Sequence, residues 1–204
     1  SMLVTESGDL LIGTSDGYLF RCVSESLSQP HPENWEPLLG PAETAGHAVS
    51  SIIEAEDGHI FVSLKFHGVL SFDGESWQRV PDITLGGSYI FGRFHDEDSG
   101  QEVIFAAHTY SSAPLYRRVN GTWTVTDEVG ASVFCMEVGH DGALFAGTDN
   151  GLYRYGGTNW SPVDIDRDIG QLNIRAMDFS SGGVVWLGTY EGLSRGTQRT
   201  WVRE

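Results

Sequence analysis

Lysine is almost missing from this 204-residue chain: Lys65 is the only one, and arginine supplies the rest of the twelve bases that face twenty-eight acids. A formal net charge of −16 repels phosphate backbones and anionic membrane surfaces, which sets nucleic acid aside as a partner. Its simplest reading is solubility or adaptation to a salty habitat. Long apolar runs are lacking as well, so no membrane span is expected. Cysteine is limited to Cys22 and Cys135, which fall in different strands of non-adjacent repeats. Such positions rarely bring Cα atoms within the ~7 Å of a disulfide, so two reduced thiols are expected. They permit a cytoplasmic protein without requiring one. The seven histidines form no HxH or HxxxH pair, so no zinc site and no metal cofactor are expected. There is no nucleophile elbow, phosphate loop or HExxH motif to mark a catalytic residue. No window holds a helical period with caps, so helix should be almost absent.

Glycine, by contrast, is abundant and ordered. Gly58, Gly100, Gly142 and Gly183 recur every 41 or 42 residues, with Gly8 ahead of a longer first repeat. Trp35, Trp77, Trp123, Trp160 and Trp201 recur in step with them. Between the two markers lie short apolar bursts rich in valine, isoleucine, phenylalanine and tyrosine, separated by turns, as four strands would be. In the second repeat the strands are expected at Val49–Ala55, His59–Leu64, Val69–Phe72 and Ser76–Val80. A repeat near 40 residues made of four strands predicts an all-β, five-bladed β-propeller with four antiparallel strands per blade. One domain is expected, with blades at about residues 2–39, 47–80, 88–125, 131–163 and 172–203, each from one continuous segment. The short first strand leaves a rival geometry, an open arc whose ends pair with a second chain; monomer and homodimer both fit.

Two columns explain the packing. Gly13, Ser63, Ala107, Gly147 and Gly188 are small where neighbouring blades should approach. Leu11, Phe61, Phe105, Phe145 and Trp186, two positions earlier, should form the inter-blade core. The tryptophans should cover the rim of the next blade.

The phrase Gly147-Thr148…Gly151-Leu152…Arg154, with Gly188-Thr189…Gly192-Leu193…Arg195 and Gly13-Thr14…Gly17…Arg21, resembles the repeat of the two-component-regulator propeller family. Members of that family form periplasmic sensor regions of hybrid histidine kinases. The resemblance implies the fold and a sensor-type role; the matching residues are structural and imply no reaction.

Binding residues on such a scaffold favour the face where the loop between the second and third strands and the loop between blades open together. There the repeats diverge most at Lys65-Phe66-His67 and at His108-Thr109-Tyr110-Ser111-Ser112. Lys65, Phe66, His67, His108 and Tyr110 are the candidate ligand-binding residues, with His47 and Tyr89 as borders. Phe66 and Tyr110 would supply stacking area, Lys65 and the imidazoles polar orientation, for a carbohydrate, a peptide or a small anion. No cofactor is expected. Two other readings stay open. A carbohydrate-active hydrolase or lyase would use the inner-strand acids Glu54, Glu137 and Asp178, or a His67–His108 pair. A structural protein-interaction scaffold would use the outer rim. Asp164-Ile165-Asp166-Arg167-Asp168 alternates like a calcium loop but has Arg175 where a bidentate glutamate belongs, so it reads as a solvated loop, as does Asp96-Glu97-Asp98.

Overall fold

A computed structural model describes residues 1–28, 31–111, 115–126, 129–165, 173–180, 182–197 and 200–203. Among the described residues, twenty strands form five four-stranded antiparallel sheets. Blade 1 holds β1 (Met2–Val4), β2 (Leu10–Gly13), β3 (Leu19–Cys22) and β4 (Trp35–Leu39). Blade 2 holds β5 (Val49–Glu54), β6 (Ile60–Leu64), β7 (Gly68–Phe72) and β8 (Trp77–Arg79). Blade 3 holds β9 (Tyr89–Asp96), β10 (Gln101–His108), β11 (Leu115–Val119) and β12 (Thr122–Thr126). Blade 4 holds β13 (Val133–Val138), β14 (Leu144–Thr148), β15 (Gly151–Tyr155) and β16 (Trp160–Pro162). Blade 5 holds β17 (Ile174–Phe179), β18 (Val185–Thr189), β19 (Gly192–Thr197) and β20 (Thr200–Arg203).

In every sheet the strands lie in chain order, so each blade is one continuous segment. The first inner strand is the short one, three residues against six in blades 2, 4 and 5. Among the described residues, helix is confined to one turn, α1 (Pro41–Thr44), and two three-residue 3₁₀ turns. The repeated turn glycine is required by its backbone: Gly8, Gly58, Gly100, Gly142 and Gly183 all have φ between +65° and +86°, a region that side chains resist.

The chain forms two compact units, Ser1–Tyr89 and Ile90–Glu204. In the first, Leu11, Leu19 and Leu39 of blade 1 pack against Val49, Ile52, Val62, Leu64 and Leu70 of blade 2. In the second, Phe105 is fully buried between blades 3 and 4, among Val133, Leu144, Tyr155 and Trp160. Phe145 serves the same place between blades 4 and 5, against Ile174 and Leu187. Burying one such ring contributes roughly 1.5–3 kcal/mol.

The small-residue column lies where strands of neighbouring blades touch. A Cβ on Gly13 would stand 2.3 Å from Val49 Cγ1, and one on Gly147 2.6 Å from Ile174 Cγ2. Ser63 instead uses its Oγ to accept the Tyr89 N–H at 2.9 Å. The motif arginine is structural too. Arg21 binds the Asp9 carboxylate, and Arg154 binds Asp141 with its guanidinium 6.0 Å from the Phe145 centroid.

Trp77 and Trp160 differ from expectation: each covers the preceding blade, not the next. Trp77 Nε1 donates to Leu38 O of blade 1 at 3.0 Å, and the Trp160 ring meets Phe105 of blade 3 at 5.1 Å. Register is the reason. Trp160 pairs with Tyr155, and Tyr155 with Leu144, so all three share one sheet face. Phe145 and Gly147 alternate onto the other face.

Candidate functional site

In blade 2 the divergent loop is built by its neighbours. Pro41 starts α1, whose Thr44 Oγ1 donates to Gly17 O at 2.9 Å. Ala45 and Gly46 then take left-handed φ, +52° and +73°, and the His47 N–H donates to Thr44 O. One residue later the Ala48 carbonyl accepts the Lys65 N–H at 2.8 Å. The segment entering β5 is thereby tied to the turn between β6 and β7, and the two expected loops do open together.

The result is a stacked imidazole pair. His47 and His67 lie 4.3 Å apart at 11° between planes. Desolvation, then the Arg79 guanidinium and His47, hold His67 below the usual imidazole range. It is therefore neutral near pH 7, and the cations of the cluster are Lys65 and Arg79, whose guanidinium donates to the His67 carbonyl. Lys65 Nζ stands 5.5 Å from the Phe66 centroid, a contact worth about 0.5–1 kcal/mol at an exposed site. Phe66 has φ +60° with 51% of its surface exposed. A bulky residue there costs roughly 1–3 kcal/mol and is concentrated at functional positions. Lys65, Phe66, His67 and His47 thus form one cluster in the first unit.

His108 and Tyr110 belong to the second unit. His108 ends β10, where its Nδ1 accepts the Tyr110 N–H at 3.1 Å and lies 3.2 Å from Ser111 Oγ. Desolvation lowers its pKa. The imidazole caps its own turn and presents Tyr110, 60% exposed. Ser112 lies outside the described residues.

Tyr89 is corrected. It is fully buried, with its hydroxyl on Thr84 O at 3.1 Å and its N–H on Ser63, so it is a packing residue and borders no ligand face.

Among the inner-strand acids, Glu54 Oε2 accepts the Glu6 N–H at 2.6 Å and so braces the turn of blade 1. The Asp178 charge acts on Glu137. Desolvation raises the Glu137 pKa first, and the Asp178 charge raises it further. Asp96 takes the N–H groups of Asp98 and Ser99 at 3.0 and 3.3 Å and is a turn residue. The alternating acids at 166–168 lie outside the described residues.

One site column escaped the sequence. In blades 2, 4 and 5 the second residue of the inner strand is a β-bulge: Ser50, Phe134 and Arg175 each stand unpaired between matched neighbours. A bulge breaks period-2 alternation, so pattern reading passes over it; aligning the repeats on their turn glycines was the signal that could have found it.

No family profile and no curated protein sequence matches the chain. Solved structures do. The chain is similar to the extracellular domain of BT4673, assigned to the one-component or hybrid two-component systems of B. thetaiotaomicron, with a TM-score of 0.67 and 18% identity over 95% of this chain. It spans about a quarter, 26%, of that longer chain. It is similar to virginiamycin B lyase from Staphylococcus aureus, with a TM-score of 0.69 and 12% identity over 99% of this chain and 68% of the lyase. YCF48 bound to D1 peptide gives 0.64 and 14% over 97% of this chain and 65% of that one. At these identities the likeness is one of fold, and the fold is a β-propeller, here with five blades.

Proposed function

We propose that the chain is a non-catalytic ligand-binding propeller of the sensor type, recognising a carbohydrate, a peptide or a small anion on its loop face. Lys65, Phe66 and His67, with His47 beside them, are one set of contacts; His108 and Tyr110 are another. The observation that carries this reading is Phe66, an exposed aromatic held at φ +60° beside the chain's one lysine. Packing alone gives no reason to spend backbone energy presenting a phenyl ring to water. The fold shared with an extracellular domain of a signalling system and with a peptide-bound YCF48 supports it.

The test is a glycan and peptide array followed by titration with the best hit. Lys65→Ala should weaken a ligand held by the first set, and Tyr110→Ala a ligand held by the second, about tenfold each, the worth of one charge-assisted or stacking contact, with melting temperature unchanged. Binding indifferent to both changes removes these residues from the site.

One observation favours a second reading. Glu137, raised by desolvation and by Asp178, has the character of the proton donor in a two-carboxylate carbohydrate hydrolase or lyase. Turnover of an array glycan that stops in Glu137→Gln would select it.

A further inference from the structure

The bulge column places a cation that the reading above does not use. Val133 pairs with Thr148 and Cys135 with Gly147, leaving Phe134 over; Ile174 pairs with Thr189 and Ala176 with Gly188, leaving Arg175 over. A bulge re-aims the side chain of its extra residue. In blade 2 that residue is Ser50, whose hydroxyl folds back onto Ser63, 3.0 Å from its Oγ. In the second unit the two re-aimed side chains meet. The Arg175 guanidinium carbon lies 3.6 Å from the Phe134 centroid and 4.5 Å from that of Tyr190. Tyr190 follows β18 directly and is 68% exposed; Arg175 is exposed as well.

We infer that Arg175, held between Phe134 and Tyr190, is a binding site for the carboxylate of a small ligand. Rings this close to the guanidinium carbon would, when stacked on its faces, leave its edge, where the N–H donors lie, for a ligand, and Arg175 is exposed. That planar fork matches a carboxylate through two parallel hydrogen bonds. The stacking also fixes the side chain beforehand, so less rotamer freedom is lost on binding. Arg21, Arg93, Arg118 and Arg154 each have a carboxylate partner, whereas among the described residues none is bound to Arg175. A purely structural rivet between blades 4 and 5 needs neither the exposure of Tyr190 nor a charge. The net charge of −16 argues for a singly charged ligand, since polyanions are repelled most.

The test follows the arginine Nε–H resonances of the whole chain by two-dimensional NMR, with the Arg175 signal assigned from Arg175→Lys. Glucuronate and N-acetylalanine are the carboxylate probes; glucuronamide and N-acetylalanine amide are their uncharged counterparts. Saturable movement of the Arg175 signal is expected with a carboxylate and not with its amide. Whichever of the two acids binds tells a sugar acid from a peptide terminus. By calorimetry, Arg175→Gln should weaken the binding roughly tenfold or more. Arg175→Lys, which keeps the charge but loses the fork, should resemble Arg175→Gln more than the parent, and Tyr190→Ala should fall between. The inference is overturned if no carboxylate moves the Arg175 signal, if the amides bind equally well, or if Arg175→Gln binds as the parent does. The parent titration decides the matter even if a variant fails to fold.

Discussion

Alanine at Gly147 and alanine at Gly188 are the same substitution in the same column of the repeat, yet they should move stability in opposite directions. At Gly147 the new methyl would stand 2.5 Å from Cys135 Sγ, 2.6 Å from Ile174 Cγ2 and 3.1 Å from Ile174 Cβ. Carbon contacts settle near 3.5–4.0 Å, so the first residue of β17 must retreat by about 1 Å. Ile174 is buried in a cluster that includes Phe145 and Leu187, which leaves it nowhere to go. Overpacking of this kind costs about 1–3 kcal/mol. At Gly188 the nearest atoms belong to Ala176 of the same sheet, at 3.4 Å or more, which is ordinary contact. With no clash and no positive φ, alanine there should stabilise by roughly 0.4–1 kcal/mol by restricting the unfolded chain. The two variants should therefore differ by about 1.5–4 kcal/mol. Both positions are in the second unit, so one urea transition followed by tryptophan fluorescence reports on both. Midpoints should shift at constant slope. Ile174→Ala combined with Gly147→Ala should cost less than the sum of the singles, because the added methyl fills part of the gap. Equal midpoints for Gly147→Ala and Gly188→Ala would refute the claim that this column sets the distance between blades.

Asp9 is nearly buried, and its carboxylate accepts the Ser24 N–H at 2.9 Å and Arg21 Nε at 2.8 Å. These contacts, Ser24 first, lower its pKa from 3.8, so its stabilisation is complete above that value and is lost as pH falls through it toward the folded value. Asp9→Asn should cost about 1–2 kcal/mol at neutral pH and flatten the acid limb of the melting-temperature profile; an unchanged limb refutes the assignment. Cys135 is held protonated by burial, its thiol pushed up to about 12. It should resist a thiol reagent near pH 8 in the native protein and react on urea unfolding, a contrast that mass mapping would read; rapid native modification contradicts it.

The repeat was legible because its markers are obligatory. A turn glycine at positive φ and a small residue under a neighbouring strand tolerate few substitutes, so their spacing survives in the sequence. The second repeat shows how far this reaches: its four strands differ from the expected bounds by one residue at most at either end. The direction in which Trp77 and Trp160 face was not legible. It depends on which residue of the third strand each tryptophan opposes, and cross-strand register is decided by turns whose length varies between repeats. Tyr89 misled for a related reason. An aromatic residue at the end of a loop looks the same in sequence whether it faces a ligand or fills the space beside Ser63.

The same logic separates the two kinds of candidate site. Lys65, Phe66 and His67 were visible because they make three residues of a turn that holds two in sibling repeats, Ser15-Asp16, Asp149-Asn150 and Tyr190-Glu191, and a departure from a pattern is itself a signal. The stacking of His67 on His47 was not, since it needs the Ala48 carbonyl to hold two loops that are far apart in the chain. Arg175 and Phe134 obey no pattern to depart from. Their side chains meet only because each inner strand carries one residue too many for its partner, at the same place in both blades. The bulge itself recurs in blade 2, where it carries Ser50; what blades 4 and 5 add at that place is a cation close to two rings where it can be reached.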